Sequence, residues 1–339
     1  MSDPQTATPS IAKIVRFHQL GGPEVLQVED LPLPTPGTGE VRLRVKAIGL
    51  NRAECLFRKG QYLDKPTLPS GLGYEASGIV EAVGPDVDAA LVGHVRSTVP
   101  AFPMSKYGVY GEVAIVPARA LAAYPEALSF AEGTSIWMQY LTAWGALCHI
   151  GKMTAGDFVV IPAASSSVGL AAIEIARAEG ATAIALTRSS DKRQALLDFG
   201  AHHVIATDEE DLIARIKEIT AGKGARLTFD PVGGPTFEKL VDAAAPSGLL
   251  FLYGALSREA TPLPLFNVLF KHLTVRGYTL FEITPDPALR QQGEEYIYRN
   301  LASGAFKPRI AKTFPLAEIV EAQRYMESNQ QIGKIVVTV

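Results

Sequence analysis

One stretch, Asp157-Phe-Val-Val-Ile-Pro-Ala-Ala-Ser-Ser-Ser-Val-Gly169, does most to limit what this chain can fold into. Phe158 to Ile161 is short and wholly apolar, as a strand reads when both faces of a parallel sheet are covered. After Pro162 only small residues follow, Ala163 to Ser167. Val168 to Glu179 then reads as a mostly apolar helix stopped at Gly180. Buried strand, tight turn and helix N-terminus in that order make a βα unit. The free N–H groups of the first helical turn, and the dipole behind them, favour a pyrophosphate.

The dinucleotide fingerprint G-x-G-x-x-G falls on Ala164-Ser-Ser-Ser-Val-Gly169, and only its third glycine is present. That glycine is the one that lets helix and strand pack closely. The setting, after a buried strand and at the start of a helix, argues for a dinucleotide site more strongly than the glycines do. Serine hydroxyls add donors for phosphate oxygens. The competing reading is an ordinary βα turn of another α/β protein.

With 339 residues the chain has room for about two domains. The net charge of −3 argues against a nucleic-acid or anionic-membrane surface. Two cysteines, Cys55 and Cys148, exclude a disulfide framework and a four-cysteine zinc site. They fit a reducing compartment, so a cytoplasmic location is expected. Residues 1–10 are polar and read as a loose tail without targeting character. No uninterrupted apolar run is long enough to span a membrane.

Residues 11 to about 133 are β-rich. Lys13–Phe17, Val25–Glu29 and Val41–Val45 alternate polar and apolar residues, as half-buried strands do. Ala76–Val83 and Tyr110–Val116 continue the pattern, which implies a small barrel or sandwich. Ser129-Phe-Ala-Glu132 looks like a capping box. Strands are then expected at 158–161, 182–186, 203–206, 226–230, 249–253 and 273–276, with helices between them, one of them capped by Ser190. This is the pattern of a doubly wound parallel sheet of the Rossmann type. Beyond residue 277, helices near Glu294–Leu301 and Leu316–Met326 flank a short strand near Arg309. Lys334 to Val339 reads as a strand that needs a sheet to join, and the first domain is the expected acceptor.

A ribose-binding acid belongs at the end of the second strand, about 20 residues past the turn. Thr187 stands there, with Arg188 beside it and Lys192 one helical turn on. A carboxylate would repel a 2′-phosphate, whereas a neutral residue between two cations attracts one. NADPH is therefore expected over NADH. The alternative makes Arg188 and Lys192 solvated charges and gives the ribose to Asp191.

On these residues the chain resembles the medium-chain dehydrogenase/reductase superfamily. More narrowly, it is similar to the zinc-free quinone oxidoreductase branch that includes zeta-crystallin. The stretches that carry the resemblance are Gly49-Leu-Asn-Arg-Ala-Glu54, Leu68 to Val80, the Ala163 to Gly169 turn, Phe229-Asp-Pro-Val-Gly-Gly234 and Ile332-Gly-Lys-Ile-Val336. It implies a GroES-like catalytic domain of residues 1–133 and 277–339, into which an NADPH-binding Rossmann domain, residues 134–276, is inserted. The zinc enzymes of the superfamily place Cys and His where this chain has Asn51 and Tyr74, and neither replaces a soft zinc ligand. Cys55 and Cys148 read as inert thiols and His202-His203 as packing residues, so no metal is expected.

Without a metal, an alcohol has nothing to lower its pKa. Hydride addition to a quinone or an α,β-unsaturated carbonyl is favoured instead, and the enolate so formed needs a donor at oxygen and a proton at the α-carbon. The resemblance to enoyl-thioester reductases marks Tyr62 as that donor, with Asn51 orienting substrate and Tyr74 on the pocket floor. Each of the three has packing as its plainer reading, and Arg58 reads as a solvated charge. The resemblance also implies pyrophosphate over Ser166, Ser167, Val168 and Gly169. It implies nicotinamide near Tyr253-Gly254-Ala255 and Gly277-Tyr278, with Thr142 and Lys334 facing the cofactor. The expectation is a zinc-independent NADPH-dependent reductase, a homodimer through the sheet edge around Leu249–Val275. The apolar stretch Leu263–Phe270 fits either a dimer contact or core. Alternatives are a 2-enoyl thioester reductase and a non-catalytic NADPH-binding protein.

Overall fold

The structure, a computed structural model, describes residues 11–339. The expected loose tail of residues 1–10 lies outside the described residues. Two compact units form. One comprises residues 11–135 together with Ile310–Val339, and the other comprises Ile136–Arg309.

The first unit is built on a seven-stranded sheet. Its path runs Ile310–Pro315, Lys334–Thr338, Glu40–Gly49, Glu75–Val83, Val95–Thr98 and Leu121–Ala122, and Val113–Pro117 also pairs with Glu40–Gly49. Ile11–Phe17 and Leu26–Pro32 form a separate antiparallel ribbon. Alternation places Val41, Leu43, Val45 and Ala47 in the core. Arg42 and Arg44 on the other face both pair with Glu81. The final strand, Lys334–Thr338, joins this sheet as expected, antiparallel to Glu40–Gly49 and parallel to Ile310–Pro315.

The second unit holds six parallel strands in the order His203–Ala206, Thr182–Thr187, Phe158–Ile161, Ala225–Asp230, Ala244–Leu252 and Thr274–Gly277. The strand order reverses beside Phe158–Ile161. This makes a crevice between the turn that follows it and the loop after Ala225–Asp230, which is where doubly wound sheets bind nucleotides. The core under the sheet includes Val160, Ile184, Leu186, Phe237, Leu240 and Leu250.

Two expectations are corrected. Residues 277–309 group with the second unit, not the first. The reason is packing: Gly293 in helix Pro287–Ala302 has no side chain, and a Cβ there would meet Leu141 at 2.6 Å and Trp144 at 2.9 Å. Phe306 also stacks on Tyr140, with ring centroids 4.9 Å apart. Ser190 does not cap a helix. It lies inside a 3-10 turn, Ser190–Lys192, and its N–H and hydroxyl go to Glu209.

Candidate active site

Gly49 ends its strand against Thr134 and Lys334. A Cβ there would meet the Thr134 carbonyl at 2.2 Å and Lys334 Cε at 2.8 Å, so glycine makes room for the lysine. Asn51 caps helix Arg52–Arg58, and Glu54 accepts the Asn51 N–H at 2.8 Å. The Asn51 carboxamide is engaged at both ends. Its Oδ1 accepts from Lys334 Nζ at 2.7 Å, and its Nδ2 donates to Glu75 Oε2 at 3.1 Å and to the Gly49 carbonyl at 3.2 Å. Lys334 is ion-paired with Glu75, and the two side chains are 0% and 1% exposed. A buried ammonium needs such partners, because no water solvates it.

Glu54 joins this cluster to Tyr74. It accepts from the Tyr110 hydroxyl and, at 3.2 Å, from the Tyr74 N–H. Burial pushes its carboxyl up, and the bonds from Tyr110 and Asn51 oppose that. The Tyr110 hydroxyl accepts from Gln323 Nε2 at 3.1 Å, and Gln323 Oε1 accepts from Cys55 Sγ at 3.2 Å. Tyr74 is wholly buried. Its carbonyl accepts from Thr98 Oγ1 at 2.7 Å and its ring lies 5.8 Å from that of Phe102. Tyr62 is half-buried on the loop after the helix. Burial pushes the Tyr62 hydroxyl up to about 12.

Arg58 is not a solvated charge. It is fully buried and ion-paired with Glu327, which Lys59 also binds at 2.9 Å. Burial pushes the thiols of Cys55 and Cys148 up to about 12, so both stay protonated near neutrality. His202 packs as expected, its Nδ1 accepting the Ala183 N–H at 3.0 Å. Among the described residues, no group of three His, Cys, Asp or Glu side chains is placed to hold a metal ion.

In the second unit Ser166 caps helix Ser167–Ala178, its Oγ accepting the Gly169 N–H at 3.0 Å. A Cβ on Gly169 would meet the Ala164 carbonyl at 2.6 Å. This is the close approach of helix to turn for which the third glycine is needed. Ser167 and Val168 form the first helical turn, half-buried. Thr187 ends the second strand and Arg188 follows it, exposed. Lys192 reaches back to the turn, Nζ to Ser165 Oγ at 3.2 Å. Burial and then Arg188 lower its ammonium pKa, the mark of two cations sharing one neighbourhood. The Asp191 carboxylate is turned to Ser189 Oγ at 3.0 Å.

Tyr253 stacks on Phe229 with centroids 3.9 Å apart. The hydroxyls of Tyr253 and Tyr278 are buried without a hydrogen-bond partner among the described residues, and both stand just past the carboxyl ends of sheet strands. Such orphaned donors fit a polar ligand at that end of the sheet. Gly254 and Ala255 are exposed, and a Cβ on Gly277 would meet open space. Thr142 is buried, and its hydroxyl bonds back to the Met138 carbonyl in its own helix.

The sequence marked Asn51, Tyr62, Tyr74 and Lys334, and the structure brings all four into one unit. Lys334, expected to face a cofactor, also binds Glu75 and Asn51. Sequence reasoning missed Glu54, Tyr110 and Gln323. The N-x-x-E capping pattern from Asn51 to Glu54 was the available signal for the first.

Comparison with known proteins agrees with this architecture. Residues 37–126 match the alcohol dehydrogenase GroES-like domain family, and residues 167–292 match the zinc-binding dehydrogenase family. Quinone oxidoreductase 1 of Escherichia coli K12 is 33% identical, over 95% of this chain and 98% of that protein. The 2-haloacrylate reductase of a Burkholderia species is 31% identical, over 94% of this chain and 97% of that protein. The crystal structure of Escherichia coli quinone oxidoreductase complexed with NADPH superposes with a TM-score of 0.90 at 32% identity, covering 97% of this chain and all of that one. The chain belongs to the medium-chain dehydrogenase/reductase superfamily, in its zeta-crystallin-like quinone oxidoreductase branch.

Proposed function

We propose that this protein is a zinc-independent, NADPH-dependent reductase of quinones or α,β-unsaturated carbonyl compounds. The observation that carries the reading is the set Asn51, Tyr74 and Lys334. Two non-ligands stand where the zinc enzymes hold metal, and an ammonium is already bound to the neighbouring Glu75. Relatives named for quinones and for 2-haloacrylate, an α,β-unsaturated acid, support the acceptor class.

NADPH supplies the hydride. Ser166, Ser167, Val168 and Gly169 hold its pyrophosphate at the helix N-terminus, Thr187, Arg188 and Lys192 take the 2′-phosphate, and Tyr253, Gly254, Ala255, Gly277 and Tyr278 flank the nicotinamide. The turning of Asp191 toward Ser189 supports the phosphate over the ribose alternative. Thr142, its hydroxyl already used within its helix, offers the nicotinamide side surface rather than a donor. Tyr62 donates to the acceptor oxygen, and Lys334, which holds Asn51, faces NADPH with its remaining N–H.

A homodimer belongs to the same reading. Thr274–Gly277 is an edge strand, and beside it the short helix Leu265–Phe270 leaves Phe266 87% and Phe270 84% exposed. So much apolar surface next to an open sheet edge fits a second copy. A cytoplasmic location is supported by two free thiols. No helix among the described residues is long and apolar enough to cross a membrane.

The test is NADPH oxidation by EDTA-treated protein with 1,4-benzoquinone, an alkyl vinyl ketone and crotonyl-CoA as parallel acceptors. Turnover of the first two is expected, with NADH much poorer, and with Arg188→Ala/Lys192→Ala raising KM for NADPH by about 10- to 100-fold while leaving KM for NADH unchanged. Selective use of the thioester would make the protein a 2-enoyl thioester reductase. Tight NADPH binding with no turnover would make it a binding protein, and activity lost with EDTA and restored by zinc would sink the metal-free reading.

A further inference from the structure

We infer that Ser165 is a positioning residue for Lys192, and so a determinant of the preference for a cofactor with a 2′-phosphate: its hydroxyl oxygen accepts from the lysine ammonium and holds it at the nucleotide turn. This deepens the proposed function and rests on its assignment of Lys192 to the 2′-phosphate. Lys192 Nζ lies 3.2 Å from Ser165 Oγ, across 27 residues of sequence. Both residues are half-buried, partly shielded from water yet open to a ligand. In the dinucleotide fingerprint, Ser165 is the free position between the first two glycine places. The close backbone approach to a pyrophosphate is asked of its neighbours, so its side chain is available for another task.

The turn that carries Ser165 is fixed in three ways. The Ser166 N–H closes it on the Ala163 carbonyl at 3.0 Å. The Ala164 N–H ties it to the Leu186 carbonyl of the neighbouring strand at 3.1 Å. Helix Ser167–Ala178 packs so closely on it that a Cβ on Gly169 would meet Ala164 Cα at 2.7 Å. Lys192 belongs to a segment held at its other end. The Thr207 N–H donates to the Thr187 carbonyl at 2.8 Å, and the Asp208 N–H to the Arg188 carbonyl at 3.0 Å. Glu209 accepts the Ser190 N–H at 2.8 Å and its hydroxyl at 3.2 Å. The bond to Ser165 closes this strap, so residues 187–192 are tied both to the loop Thr207-Asp208-Glu209 and to the turn.

A lysine ammonium rides on a flexible four-carbon stem, and confining that stem opposes binding. Ser165 confines it before the nucleotide arrives. Arg188 works against the confinement, since burial and then Arg188 lower the Lys192 ammonium pKa and the two cations repel. A neutral hydroxyl holds an ammonium without neutralising it, which leaves the charge for a phosphate. A carboxylate in the same place would neutralise the lysine and repel the phosphate. The acids of this region are directed elsewhere, Asp191 to the Ser189 hydroxyl and Glu209 to Ser190.

The experiment is a double-mutant cycle of Ser165→Ala and Lys192→Ala, read without acceptor as Kd for NADPH and for NADH by the fluorescence of the bound nicotinamide, together with Tm. Ser165→Ala removes one oxygen from a turn already built of alanine and serine, so Tm should match the wild type. Its Kd for NADPH is expected to rise about fivefold while its Kd for NADH stays the same. In the Lys192→Ala background the serine change should cost nothing further. An unchanged Kd for NADPH would overturn the inference. So would an equal loss in both backgrounds, which makes Ser165 a phosphate contact in its own right, or an equal rise for NADPH and NADH, which makes it a structural residue of the turn. All three leave the NADPH reading intact. A wild type that binds NADPH no more tightly than NADH would overturn both.

Discussion

Lys334 carries its charge where water does not reach, so its neighbours decide whether the charge is tolerable. Lys334→Met is expected to destabilise the protein by about 3–5 kcal/mol, because Glu75 is left buried without its counter-charge. Lys334→Met combined with Glu75→Leu should recover much of that loss, since a buried pair contributes little net stability once both charges are gone. Urea unfolding of the two variants checks this, and equal losses would show that the pair is not the unit that matters. At this scale the sequence showed where the chain departs from metal-binding relatives, at Asn51 and Tyr74, because single positions in a recognisable motif carry that information. It did not show what fills the space. Gln323 meets Tyr110 across 213 residues of sequence, and Lys334 meets Glu75 across 259. Contacts so distant leave no local pattern to read.

At the scale of elements, helix Ser167–Ala178 connects the nucleotide turn to the end of its own unit. Its Glu174 accepts from the Tyr140 hydroxyl and, at 2.9 Å, from the Lys307 N–H. Burial pushes the carboxyl up to about 7, against the pull of Tyr140, Lys307 and Arg177. The folded pKa is above the unfolded one of 4.5. The stability Glu174 contributes is therefore full below about 4.5 and falls as pH rises through about 7, by roughly 3 kcal/mol in all. Glu174→Gln should flatten this dependence between those limits, and chemical unfolding at pH 5 and pH 8 reads it. A slope unchanged by the substitution would remove Glu174 as its source. The six parallel strands were legible because strands covered on both faces are unbroken apolar runs. Val95–Thr98 and Leu121–Ala122 were not, being too short to show a period. Helix Pro287–Ala302 was legible as a helix but not in its unit, because the glycine that admits Trp144 looks, in sequence, like any helix-weakening residue.

For the molecule as a whole, the apolar face of Leu265–Phe270 is the feature that two copies would use. Phe266→Asp/Phe270→Asp is expected to convert a dimer to a monomer in sedimentation velocity while sparing NADPH binding, since both side chains are exposed and neither is among the residues assigned to the nucleotide. A wild-type protein already monomeric at micromolar concentration would end the dimer reading. The division into two units was read correctly as a discontinuous unit interrupted by a parallel sheet, but its second boundary was placed too early. The pattern that ended at residue 277 was that of the sheet, not that of the packing around it, which runs on to Arg309.

The strand Lys334–Thr338 sets an order of events in the cell. As the chain emerges from the ribosome, Asn51, Glu75 and the sheet around them are made early, and the ammonium that neutralises Glu75 arrives 259 residues later. Until then Glu75 has no Lys334 beside it, and Glu40–Gly49 lacks the strand that later pairs with it. The second unit is synthesised wholly within that interval and its strands have all their partners before Lys334 exists. During synthesis, then, the nucleotide-binding half can finish first, and the half that carries Asn51 and Tyr74 is completed only when its last strand is released.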